Sequence, residues 1–259
     1  MKYILRAALC LLLATGIGNS SYGQNQLLGT GSFHYLLKPS KFEGSKSHFH
    51  LVYDGVPVQL CAETKAIINI ANGKITVDFY QFLNNACPIG TIGLVPATPL
   101  KGHTIEIVDD RNTLGDPTFV LRLPLKAWSW GINTIPYRVR PPVQTASVPH
   151  TTTVTTAPFN LAASFGRTWG FGNLTTRGAN NYSFTFAGFS GPLAASGFGL
   201  PTNQTNLAIS YGFAGIFGRN GLGIILCWGI DTCLGDNSTS WAYQNNGWIG
   251  IGINTTILK

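Results

Sequence analysis

Five segments in the last hundred residues alternate large apolar with small or polar side chains at a period of two. Such a period belongs to extended strands, whose successive side chains point to opposite faces. In the first segment Phe159, Leu161, Ala163, Phe165, Trp169 and Phe171 share one face. Asn160, Ala162, Ser164, Gly166, Thr168 and Gly170 share the other. Tyr182, Phe184 and Phe186 oppose Ser183, Thr185 and Ala187 in the second. The third sets Leu207, Ile209, Tyr211, Phe213 and Phe217 against Ala208, Ser210, Gly212, Ala214 and Gly218. Leu222, Ile224, Leu226, Trp228 and Ile230 then oppose Gly223, Ile225, Cys227, Gly229 and Asp231. In the last, Ile249, Ile251, Ile253 and Ile257 oppose Gly250, Gly252, Asn254 and Thr256.

An ordinary half-buried strand puts its apolar face inward and charged residues outward. Here the second face is Gly, Ala, Ser, Thr and Asn, with almost no Lys or Glu. Small inward side chains suit a narrow barrel whose large apolar face meets lipid. Charged residues make up 10% of the chain, against about 25% in soluble domains, which favours the same reading. Asn220-Gly221 predicts a tight turn, and residues 236–244 a longer polar loop.

The remainder divides by texture. Lys2 and Arg6, the apolar run from Ala7 to Leu13, and Ser21-Tyr22-Gly23 have the layout of a secretory signal peptide over residues 1–23. The run is too short to span a bilayer as a helix, which needs roughly 20 residues. Residues 24–126 hold eight of the ten acidic side chains and read as a small β-rich domain. Its candidate strands are Phe49 to Tyr53, Val56 to Leu60, Ala66 to Ile70, Lys74 to Tyr80, Thr104 to Val108 and Thr118 to Leu123. Asn72-Gly73 predicts a hairpin turn with positive φ, and Asp78 to Asn85 is open to one or two helical turns. Residues 127–157, punctuated by prolines and a Thr-rich run, read as a connector, and 158–259 as the barrel-like domain. The expected fold is therefore all-β: a C-terminal antiparallel β-barrel-like sheet preceded by a small N-terminal β-domain.

From Leu222 to Asp231, through Leu234-Gly-Asp-Asn237, to Trp241 and on to Ile253, the chain resembles the last hairpin of small outer-membrane β-barrel proteins of Gram-negative bacteria. The resemblance spans about residues 159–259 and is one of texture. It implies insertion by the barrel-assembly machinery into the outer-membrane lipid bilayer, with Leu222, Ile224, Leu226, Trp228 and Ile230 facing lipid. It implies no shared activity. Single-chain bacterial barrels have an even number of strands, from eight upward. Five are evident, so Trp128 to Arg140, Thr151 to Thr156 or the N-terminal region must supply more, or several chains share one barrel.

Four cysteines lie beyond residue 23. Cys61 and Cys87 are the candidate disulfide, which an exported protein can form. Cys227 and Cys233 would lie about 20 Å apart on one strand, beyond disulfide reach. His48 and His50 share one side of a strand, with His34, His103 and Asp54 as further conceivable ligands, but the spacing matches no metal motif. No nucleophile elbow is present, and the C-terminal half holds only Asp231 and Asp236 as acids, so no enzyme is expected. Asp231 on the small face either lines a lumen or ends its strand near water, the second being the expectation. Gly170-Phe-Gly172 and Gly197 to Gly199 read as strand ends and bends, not as a nucleotide loop. Without a Lys or Arg run, no nucleic-acid partner is expected.

The function expected from sequence is an exported cell-envelope protein, an outer-membrane β-barrel with a structural or binding role, no catalysis and no cofactor. The alternative is a soluble secreted β-sandwich that binds glycans or a surface protein. Trp128, Trp130, Trp169, Trp228, Trp241 and Trp248 serve either reading, as an interfacial belt or as sugar-stacking platforms. Location is accordingly the outer membrane or the extracellular space.

Overall fold

A computed structural model describes residues 33–42, 48–53, 55–60, 63–79, 105–110, 120–142, 144–145, 148–149, 154–156, 161–175, 178–196, 200, 205–235 and 238–258. Residues 1–23, read as a signal peptide, and Cys61, Asp54 and all of 80–104, with Cys87 and His103, lie outside them. Nearly everything described is strand. The N-terminal strands are β1 (His34–Leu37), β2 (Phe49–Tyr53), β3 (Val56–Val58), β4 (Thr64–Ala71), β5 (Lys74–Phe79) and β6 (Ile105–Asp109). Then come β7 (Leu121–Val139), the short β8 (Gln144–Thr145), β9 (Val148–Pro149) and β10 (Val154–Thr156), and five long strands. These are β11 (Leu161–Thr175), β12 (Gly178–Ser196), β13 (Thr205–Arg219), β14 (Leu222–Cys233) and β15 (Gly247–Leu258).

The five alternating segments are β11 to β15, and each pairs antiparallel with the next. The sixth member is β7, which pairs with both β11 and β15 and closes the ring. One chain therefore makes a six-stranded barrel, two strands below the expected minimum of eight. The sixth strand comes from the segment read as a connector: residues 127–139 are the upper part of β7, and Val154–Thr156 pairs beside them. Following cross-strand partners from Trp130 leads through Phe165, Gly188, Phe213, Trp228 and Ile249 back to β7 at Val139. That displacement along the strand is the stagger barrel closure requires, and it goes with strongly tilted strands.

Six strands close only if the sheet coils sharply, and inward glycines permit it. A Cβ on Gly166 would run into the Phe186 carbonyl oxygen and Ala187, and one on Gly252 into the Thr134 carbonyl oxygen. Opposite Gly252 the β15–β7 register slips between Ile251 and Ile253, which places an extra residue on β7 at Ile135-Pro136. Proline, which cannot donate to a ladder, fits such a bulge. Short turns lie at one end of the ring: Asn220 and Gly221 both have positive φ (52° and 87°), and β11 and β12 are separated only by residues 176–177. The connections 197–204 and 234–246 lie at the other end.

The N-terminal strands follow on in order β7-β1-β4-β5-β6-β2-β3 at the short-turn end. Asn72 and Gly73 (φ 51° and 73°) form the expected hairpin turn. Asp78 and Phe79 belong to β5 and are not helical. Leu37, Leu51, Leu60, Ile75, Val77, Ile105 and Ile107 build a core that Leu121 and Leu123 of β7 and Leu174 of β11 complete. Tyr35 ties the two parts. Its hydroxyl donates to Asn181 Oδ1 at 2.7 Å, and its ring lies where a side chain on Gly172 would stand. Burial pushes this phenol up to about 12.

Candidate functional site

The outer face of the ring is built from the alternation itself. On β7, Trp128, Trp130 and Ile132 point out; on β14, Leu222, Leu226 and Trp228 do, with Ile224 and Ile230 half-buried on the same face. Phe213 is 57% exposed and Ile249 65%. Neighbouring strands set these side chains in cross-strand rows. Trp128 stacks on Phe165 at 5.2 Å, Phe186 on Phe213 at 6.0 Å, and Phe184 meets Phe217 at 5.0 Å. Soluble monomers rarely expose apolar surface on this scale.

Basic side chains fringe this face. Arg167 lies 5.5 Å over Trp128, Arg122 3.6 Å over Phe171 and Arg219 5.5 Å over Tyr182. Arg122 and Arg219 are at the short-turn end, where aromatic and cationic groups together suit a bilayer interface.

Inside, the ring has a polar layer and an apolar one. Thr168 Oγ1 is 2.6 Å from both Ser129 Oγ and Thr185 Oγ1, a hydroxyl chain across β7, β11 and β12. Ser164 donates to the Gly131 carbonyl at 3.3 Å, and Asn254 donates to Asn133 Oδ1. Ile135, Phe189, Ile216, Ile225 and Trp248 fill the next layer. Cys227 and Cys233 are both buried and free, as their separation on one strand requires.

Toward the loop end lies a charged cluster that the sequence did not reveal. Asp231 is fully buried and does not end its strand near water. Arg138 Nη1 donates to both its oxygens, at 2.9 and 3.1 Å, Trp248 Nε1 donates to Oδ1 at 2.8 Å, and Arg140 Nη2 donates to Oδ2. Arg138 lies 4.1 Å over the Trp248 ring, and Arg140 4.7 Å over Tyr243. Plain alternation from Trp128 would send Arg138 and Arg140 outward. The extra residue at Ile135-Pro136 shifts the phase and turns both inward. Pro136 inside a strand pattern was the available signal, together with a lone inward carboxylate needing partners.

The tryptophans divide. Trp128, Trp130, Trp169 and Trp228 lie on the outer face, whereas Trp241 and Trp248 are buried and offer no stacking platform. His50 pairs with Asp110, and His34 is buried in β1, where burial first and Lys65 second push its imidazole down. Among the described residues no three His, Cys, Asp or Glu side chains gather as metal ligands. No described helix is long and apolar enough to cross a membrane, which says nothing of strands.

Comparison with family models, characterised proteins and solved structures finds no match.

Proposed function

We propose that this chain is exported to the Gram-negative cell envelope and sits in the outer membrane as a small β-barrel with a structural or binding role and no catalysis. The observation that carries this reading is the outer face of the ring, large and apolar along every strand, around an interior that mixes apolar side chains with buried hydroxyls, amides and an ion cluster. That arrangement is favourable where the surrounding solvent is hydrocarbon. Ring strands of 12 to 19 residues exceed the roughly 9–11 that a tilted transmembrane strand needs. Six strands enclose less space than eight, and side chains already fill an eight-stranded interior, so passive conduction is not part of the proposal. Folding of such a chain would use the barrel-assembly machinery, and the N-terminal sheet at the short-turn end would carry any glycan or protein contact.

Fractionation of natively expressed protein tests the location. Retention in the outer-membrane pellet through a carbonate wash, with release only by detergent, is expected. Release into buffer without detergent would reject the membrane assignment and favour a soluble secreted binding module.

A further inference from the structure

The geometry points to an oxyanion-binding site inside the loop end of the barrel, centred on Arg138. This guanidinium is fully buried, yet it spends only one nitrogen on Asp231. Its Nε and Nη2 have no hydrogen-bond partner among the described residues. Those two N–H groups form the side-on edge of the guanidinium, the fork that binds two oxygens of a carboxylate or phosphate in parallel. Stacking on Trp248 at 4.1 Å covers a face of the group and leaves its edges free to donate.

Other features at the same end agree. Ser210 is the cross-strand partner of Asp231, and its buried Oγ has no partner among the described residues. Trp241 Nε1 is likewise buried and unpartnered, on a ring 5.8 Å from Arg140 Cζ. Asp231 already receives Arg138, Arg140 and Trp248. A buried N–H without an acceptor is costly, and the Arg138 edge presents two of them side by side. A ligand that satisfies both is an anion with two acceptor oxygens in one plane. The class is therefore a small carboxylate or a phosphate, held by the Arg138 Nε/Nη2 edge with Ser210 and Trp241 as flanking donors. This site does not depend on the membrane assignment, since the same donors lie inside the ring in any solvent.

The test is urea unfolding of the full-length protein folded in detergent, with sodium formate, sodium phosphate or sodium chloride added at matched ionic strength. Chloride is a single atom and cannot engage the fork as two oxygens do. Formate, phosphate or both are expected to raise the unfolding midpoint saturably above the chloride control, and which of them does so names the class. Arg138→Lys keeps the charge and loses the fork, so it should weaken the apparent affinity at least tenfold. Should that variant fail to fold, Ser210→Ala and Trp241→Phe each remove one donor and should weaken it several-fold. A wild-type midpoint that follows ionic strength alone for all three salts would overturn the site, as would an oxyanion response unchanged in every variant that folds.

Discussion

The N-terminal sheet and the ring are built from the same strand period in one continuous antiparallel network, yet they differ in what they turn outward. In the N-terminal sheet Leu51, Ile75 and Ile107 are buried, while Lys38 pairs with Glu63 and Lys74 with Glu106 on the surface. In the ring, Phe, Trp and Ile cover the outside as well as one inner layer, and the ion cluster of Arg138, Arg140 and Asp231 is buried inside. Strand β7 passes through both regimes. Its outward residues begin with Arg122 and Lys126 beside the N-terminal core and continue as Trp128, Trp130 and Ile132 around the ring. Strand β7 pairs with β11 from Leu121 to Thr134 through both regimes, so what changes over that stretch is the solvent to which its outer face is suited.

The largest effect should come from the buried ion cluster. Asp231→Ala removes the carboxylate that the buried Arg138 guanidinium is paired with and should cost about 3–5 kcal/mol of unfolding free energy. Glu106→Ala, at an exposed pair, should cost about 0.2–1 kcal/mol. Comparable losses would mean that the two regions do not differ in burial of charge. Next, Ile75→Ala in the N-terminal core should cost about 2–5 kcal/mol, while Ile249→Ala on the ring, measured in detergent, should cost far less. A third substitution probes the outer face directly. Leu226→Arg should cost about 2–4 kcal/mol in vesicles if that site lies near the bilayer midplane, whereas on a water-facing surface it should stay within about 0.5 kcal/mol. The smallest effect concerns the junction. Tyr35→Phe removes a buried hydrogen bond worth about 1 kcal/mol. With the folded phenol up at about 12 against an unfolded 10, the wild type keeps this stability below pH 10 and loses it as pH rises toward 12. The step from 10 to 12 corresponds to about 2.7 kcal/mol, more than the hydrogen bond, so the urea midpoints of the two proteins should meet and then cross over that range.

Much of this architecture was legible from residues, because period-two alternation and turn chemistry are local. All five C-terminal segments are strands, with the predicted faces at their described residues, and the turns at Asn72-Gly73 and Asn220-Gly221 lie where they were expected. Closure was not legible. It depends on β7, whose prolines and position between two textures disguise it as a linker, and on a partnership with β15 more than a hundred residues away. Strand number was overestimated for a related reason, since the tight coiling allowed by Gly166 and Gly252 is a property of neighbouring strands, not of one segment. The ion cluster was hidden by the bulge at Ile135-Pro136, which reverses the inward and outward assignment for every residue after it. Asp231 was seen on the small face, but its partners could not be identified without that reversal.

The central claim is that the outer face of the ring meets hydrocarbon. The direct measurement is tryptophan fluorescence of the full chain in lipid vesicles, with quenchers placed either on brominated acyl chains or in the water as iodide. Four of the six tryptophans, Trp128, Trp130, Trp169 and Trp228, lie on that face. The account predicts strong quenching by the brominated lipid and little by iodide. Strong quenching by iodide with none by brominated lipid would contradict it.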